Sequence, residues 1–193
     1  MTPKHGIFLM VVTAALVTGS ARAAAPPDLR GKWKLDARRS DDARARIEQI
    51  AGPAQVKSGG ATGLTILPES NTRSEVERVE LREWMMGLAD QLGRLEIAQT
   101  ADEVKLYLGD GVRIFYFGRE HLREDAQGRK LKCRARLESD RLVLEESGDN
   151  GLKLVEALTP VPANGWLVHA VRFEHARLKQ PLELRLIYVK DAE

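Results

Sequence analysis

Apart from His5 near its start, the chain carries three histidines, His121, His169 and His175, among a large number of acids. An imidazole beside a carboxylate can act as a general base, and with further ligands it can hold a metal ion. The spacing supports neither role. His169 and His175 would share a face of one strand yet stand about 20 Å apart, too far to hold one ion unless the strand breaks between them. His121 lies in Arg119-Glu120-His121-Leu122-Arg123-Glu124-Asp125, a polar run that reads as a solvated loop. The adjacent acids Asp41-Asp42, Glu124-Asp125 and Glu145-Glu146 would point to opposite faces of a strand. Nothing in the sequence marks one of them as the buried, raised-pKa carboxyl that a general acid requires. There is no G-x-S-x-G elbow, phosphate-binding loop, dinucleotide fingerprint or zinc spacing. The reading therefore expects no catalytic residue, no metal and no cofactor.

Two other features invite chemistry and have plainer explanations. Arg129, Lys130, Lys132, Arg134 and Arg136 form a basic stripe. A turn at Ser139-Asp140 would set Arg141 opposite Glu138 and Arg134 opposite Glu145, which makes the stripe a solvated, ion-paired face rather than an anion site. Cys133 is the only cysteine, so no internal disulfide exists. Its mid-strand setting predicts a buried packing role.

The elements that would position these residues change character along the chain. Gly31-Lys32-Trp33-Lys34-Leu35 alternates as a strand with Trp33 and Leu35 on one face. Ser40 reads as the N-cap of a first helix, with Asp41 and Asp42 in its first turn, Ala43, Ile47 and Ile50 on its apolar side, and Gly52-Pro53 at its end. Gln55 to Gly63 reads as a linker. A second helix is predicted from Ser74, with Glu77 completing a capping box. Leu81, Trp84, Met85, Leu88 and Leu92 recur at helical spacing along it, and Arg78 and Arg82 face the other way. Trp84, Met85 and Met86 are candidates for a lid.

From Leu95 the period becomes two. Predicted strands cover Leu95–Thr100, Val104–Leu108, Val112–Phe117, Lys130–Glu138, Arg141–Ser147, Leu152–Thr159, Trp166–Glu174 and Leu182–Val189. Asp110-Gly111 and Asn150-Gly151 read as hairpin turns. An Asp110-Gly111 loop would pair Leu106 with Phe115 and Val104 with Phe117, leaving Tyr107, Ile114 and Tyr116 on the opposite face. One face could line the barrel interior while the other meets the Leu81–Leu92 helix. The pattern is mainly β: an antiparallel meander of about 8–9 strands, closed as a barrel or folded as a sandwich, with two helices inserted after the first strand.

The first residues have the three parts of an export signal. Lys4 supplies the charge, Ile7 to Val17 the apolar core and Ala21-Arg22-Ala23 the cleavage site. An 11-residue core would rise only about 16 Å as a helix, too short for a membrane anchor. With no cysteine near the cleavage site, a lipid anchor has no attachment point. The expectation is a leader over 1–23 and a single domain over 24–193, with a helical insertion over about 40–92, located in the periplasm or secreted. Lys4 and Arg22 leave with the leader, so the remainder balances 28 basic against 28 acidic residues. Without a net positive field, nucleic acid is not an expected partner.

Gly31-Lys32-Trp33 at the head of a β meander resembles the start of lipocalin-like (calycin) barrels, whose first strand carries G-x-W. In that family a basic residue late in the barrel packs across the tryptophan, and Arg185 in Leu184-Arg185-Leu186 is the matching candidate. The resemblance implies a closed barrel around an apolar ligand cavity, with Trp33, Tyr107, Tyr116, Trp166 and Arg185 as candidate ligand-binding residues. The late helix that lipocalins pack against the barrel is not visible here. The stretch from Ser74-Glu75-Val76-Glu77-Arg78-Val79 to Leu182-Glu183-Leu184-Arg185 is also similar to uncharacterised exported proteobacterial proteins.

The leading expectation is a non-catalytic binding module for a small apolar or amphipathic molecule. Two others stand beside it: an envelope accessory protein that engages a protein partner, and an enzyme on a barrel scaffold. The second would show an apolar patch around Trp84 and Met86. The third would show a histidine beside a buried carboxylate.

Overall fold

A computed structural model describes residues 27–52, 69–125 and 128–191. The leader over 1–23 and the linker over 55–63 lie outside the described residues. The chain runs through β1 (Gly31–Leu35), α1 (Ala43–Ala51), α2 (Glu69–Gln91), β2 (Arg94–Gln99), β3 (Glu103–Leu108) and β4 (Gly111–Tyr116). It continues through β5 (His121–Glu124), β6 (Lys130–Glu138), β7 (Arg141–Ser147), β8 (Lys153–Val161), β9 (Trp166–Glu174) and β10 (Leu182–Lys190).

All ten strands belong to one antiparallel sheet in the order β4-β3-β2-β1-β10-β9-β8-β7-β6-β5. The sheet curls until its two edges, β4 and β5, meet in a nearly closed barrel. Those edges form no ladder; Phe117 and Ala135 make one isolated bridge beside the seam. Strand alternation fills the interior, as in β6, where Leu131, Cys133 and Ala135 are buried and Lys132 and Arg134 are exposed. Among the described residues no helix is long and apolar enough to cross a membrane.

The tenth strand is β5, within the polar run expected to be a loop. His121 pairs with Cys133 and Arg123 with Leu131. Tertiary pairing overrides local polarity here, because every second residue of β5 faces inward. The β3–β4 hairpin is shifted by two residues from its predicted register. Val104 lies opposite Phe115, Leu106 opposite Arg113, and the loop is Gly109-Asp110. Gly109 supplies the positive φ of +56° at the first loop position, as a type II′ turn requires. A shift of two leaves every side chain on its predicted face. At the β6–β7 turn the expected register holds, with Glu138 opposite Arg141 and Arg134 opposite Glu145. Glu145, however, takes its ion pair from Arg136 at 2.8 Å.

Both helices lie between β1 and β2, but their starts differ from the sequence reading. Asp42, not Ser40, caps α1, its carboxylate accepting from Ala45 N at 3.0 Å. Ser40 instead accepts from Ile187 N at 2.8 Å, and Asp41 accepts from Arg185 N at 2.7 Å. These two residues therefore tie the approach to α1 onto β10. Helix α2 begins before Ser74, which falls inside it. Its predicted apolar stripe holds, with Leu81 and Met85 buried and Trp84 half-buried. Arg78 and Arg82 turn toward α1: Arg78 Nη1 donates to Ala51 O at 2.9 Å, and Arg82 lies 3.5 Å from Glu48.

The helix pair caps one end of the barrel rather than covering the outer face of the β3–β4 hairpin. Gln91, at the end of α2, packs over the β3–β4 turn, where a Cβ on Gly109 would lie 3.2 Å from Gln91 Cγ. Trp84 packs on Phe173 of β9 with ring centroids 5.1 Å apart.

Candidate functional site

Beneath the end cap lies a partly open pocket of about 60 Å³. Trp84, Met85 and Leu88 of α2 form its roof, and Ile47 of α1 closes one side. Its wall is apolar, including Leu108, Leu154 and Phe173. Two charged side chains from different strands also line it, Arg113 of β4 and Glu156 of β8.

These two belong to a buried charged network inside the barrel. Arg113 Nε donates to Glu146 Oε1 at 3.0 Å, and its Nη2 pairs with Glu156 Oε2. Arg123 of β5 grips Glu146 with both ends of its guanidinium, Nε at 3.1 Å and Nη2 at 2.7 Å. His169 Nε2 lies 2.9 Å from Glu156 Oε1. Glu146, Glu156 and His169 are almost fully excluded from solvent. A carboxylate has only acceptors, so Nε2–H of His169 is the donor, and His169 Nδ1 has no partner.

Charges this deep persist only when paired and hydrogen-bonded. Burial pushes the Glu156 carboxyl upward, but the Arg113 charge and the His169 hydrogen bond outweigh it and hold it well below its ordinary 4.5. Burial alone would lower Arg113; the Glu156 and Glu146 charges instead raise it above its ordinary value. Cys133 is fully buried as expected. Burial, then the Glu146 charge, pushes its thiol up to about 11, so it is no nucleophile at neutral pH. Tyr188 is raised by burial and by the Glu156 charge, and its hydroxyl donates to Leu92 O at 2.8 Å beneath the end of α2.

Of the eight residues singled out by sequence as ligand contacts or lid, Trp84 and Met85 line this cavity. Met86 is half-buried against the core, so Trp84 and Met86 do not form an open apolar patch. Trp33 is buried in the barrel wall, its indole N–H donating to Leu29 O at 3.0 Å. The cation across it is Lys190, its register partner, with Nζ 4.1 Å from the ring centroid. Arg185 is exposed on the outer face of β10. Trp166 lies under Arg39, Tyr107 is exposed, and Tyr116 packs between Arg119 and His121. None of these five lines the cavity. His121 is half-buried against Phe115 and Tyr116 rather than solvated.

That reading weighed His169 and Glu146 without giving them a site, and it missed Arg113, Arg123 and Glu156. Strand parity marks most of them. Glu146 continues the inward set Leu142 and Leu144, Glu156 falls between Leu154 and Leu158, and His169 follows Leu167. A charged side chain on the apolar parity of a strand is the signal; acids adjacent in sequence are not.

No protein-family model and no curated protein matches the chain. Among solved structures it is similar to apo lipid binding protein 8 (LBP-8) of Caenorhabditis elegans, at 15% identity and a TM-score of 0.50, covering 84% of this chain and 94% of that one. It is similar to human cRBP IV at 14% identity and a TM-score of 0.50, covering 86% of this chain and all of that one. At such identities the likeness is one of fold. The neighbours are calycin barrels of the lipocalin and fatty-acid-binding kind.

Proposed function

We propose that this chain is a binding module for a small apolar or amphipathic molecule, exported by a leader over 1–23 to work in the periplasm or outside the cell. The observation that carries the reading is the apolar cavity under α2 with Arg113 and Glu156 in its lining. A concave apolar space with a few convergent polar groups is the usual form of a small-molecule site. The name of LBP-8, a lipid binding protein of the same fold, is in keeping with it.

The size of the cavity adds a condition. At about 60 Å³ it is well under the roughly 150 Å³ that admits a benzene-sized guest. A larger occupant therefore enters by displacing the roof. Three side-chain contacts hold that roof down: Trp84 on Phe173, Arg129 stacked over Trp84 with its guanidinium 4.8 Å from the ring centroid, and Arg177 paired with Glu77 at 2.5 Å. The first joins α2 to β9, and the other two join it to the β5–β6 and β9–β10 connections at the capped end of the barrel.

Native mass spectrometry of the protein purified from a periplasm, with titration of the neutral fluorophore N-phenyl-1-naphthylamine, tests the reading. A reproducible small molecule released on denaturation, or saturable fluorophore binding that quenches Trp84, is the expected result. A clean apo mass together with no fluorophore binding overturns it.

One observation favours a second reading. His169 beside the buried Glu156 is the pair an enzyme on this scaffold would need, and its Nδ1 has no hydrogen-bond partner. Of the pair only Glu156 lines the cavity, whose lining contains no serine, threonine, cysteine or lysine, so in this reading His169 acts on the bound molecule through Glu156. Turnover of the extracted molecule that disappears in His169→Phe would move the chain into this class.

A further inference from the structure

The charged lining of the cavity also bears on the chemistry of the occupant, given the binding reading above. The network contains two guanidiniums, Arg113 and Arg123, and two carboxylates, Glu146 and Glu156, each paired with the other kind. No cation in it stands without a counter-ion. An ionised head group arriving at Arg113 would meet a guanidinium already neutralised from two sides and would lie beside the Glu156 carboxylate. Like charges brought together in a desolvated site are strongly disfavoured.

The same residues keep hydrogen-bonding capacity for an uncharged head. Arg113 uses Nε and Nη2 in its ion pairs, which leaves Nη1 and its two hydrogens with no partner among the described residues. Each Glu156 oxygen accepts one hydrogen bond, Oε1 from His169 and Oε2 from Arg113, and each keeps a second lone pair. Donors and acceptors thus stand side by side at one end of an apolar space, with the guanidiniums and carboxylates balancing one another.

We propose that the ligand of this cavity is an apolar body ending in a neutral group that both donates and accepts hydrogen bonds, a hydroxyl or a primary amide, and that the site rejects the corresponding carboxylate. The hydroxyl or amide hydrogen goes to Glu156, and its oxygen takes an Arg113 Nη1 hydrogen. The wall packs the chain without regard to its identity, so the selectivity resides in the head.

Displacement of N-phenyl-1-naphthylamine by decan-1-ol, decanamide and decanoate at about pH 8, where the acid is fully ionised, tests this. The alcohol and the amide are expected to compete at least about tenfold better than decanoate. Calorimetry in two buffers of different ionisation enthalpy gives an independent measure in the unaltered protein. Decanoate is expected to bind with uptake of about one proton, as the neutral acid, and the alcohol with none. Decanoate binding as tightly as the alcohol, or binding without proton uptake, overturns the head-group assignment and leaves the binding module standing. Failure of the fluorophore and of all three competitors to bind overturns both.

Discussion

Glu156 accepts from His169, pairs with Arg113 and has 3% of its surface exposed, so it depends on these partners far more than on bulk water. Removing one member of such a group leaves the others charged and desolvated. Glu156→Gln is expected to lose about 3 kcal/mol in urea unfolding at neutral pH. The pH dependence has a definite sign. The carboxyl is held below its ordinary 4.5 in the folded protein, so its stabilisation is complete above that value and is lost as pH falls through the lower, folded one. The gap between wild type and Glu156→Gln should therefore close on acidification below about pH 4.5, and a gap independent of pH would show that Glu156 is not ionised in the fold. The tryptophan contact teaches a different lesson at this scale. The calycin resemblance gave the right kind of partner for Trp33, a late basic residue, but Lys190 and not Arg185 supplies it. Choosing between them requires the β1–β10 register, a pairing between the two ends of the chain that no local pattern encodes.

The elements were legible where period and burial agree. The stripe on α2 and nine of the ten strands could be read, β1 and all of β2 to β10 except β5, because each alternates or recurs on its own. What escaped was β5, whose inward residues are His121 and Arg123 and whose outward Leu122 is 65% exposed. Its parity is inverted relative to an amphipathic strand because it faces a polar interior. The consequence lies in its pairing. Both β4 and β5 have one side without a ladder, whereas β8 and β9 pair along nine residues between neighbours on both sides. Native-state hydrogen exchange should find the fastest strand amides in β4 and β5 and the slowest in β8 and β9. Equal protection across the sheet would mean that the seam is closed by hydrogen bonds after all. Within the barrel, Glu146 of β7 takes ion pairs from Arg113 on one edge and Arg123 on the other. The two edges are thus held by a shared carboxylate where the backbone does not join them.

For the whole molecule, the sequence revealed a meander with two inserted helices, and the structure adds how it closes. Strands β4 and β5 follow one another along the chain yet stand at opposite ends of the sheet, while β1 and β10 are paired neighbours within it. Asp191 N donates to Lys32 O at 2.9 Å, so the two ends of the barrel domain lie side by side. A chain rejoined there by a short linker and opened between Gly118 and Arg119 would pair every strand with its neighbour in sequence. The β1–β10 ladder, now bridging the longest separation in the fold, would become a hairpin. Mean contact separation falls, and refolding from urea should be faster than for the natural order. The gap between β4 and β5 is in this sense a place where the polypeptide can begin, and the barrel has two natural starting points where most domains have one.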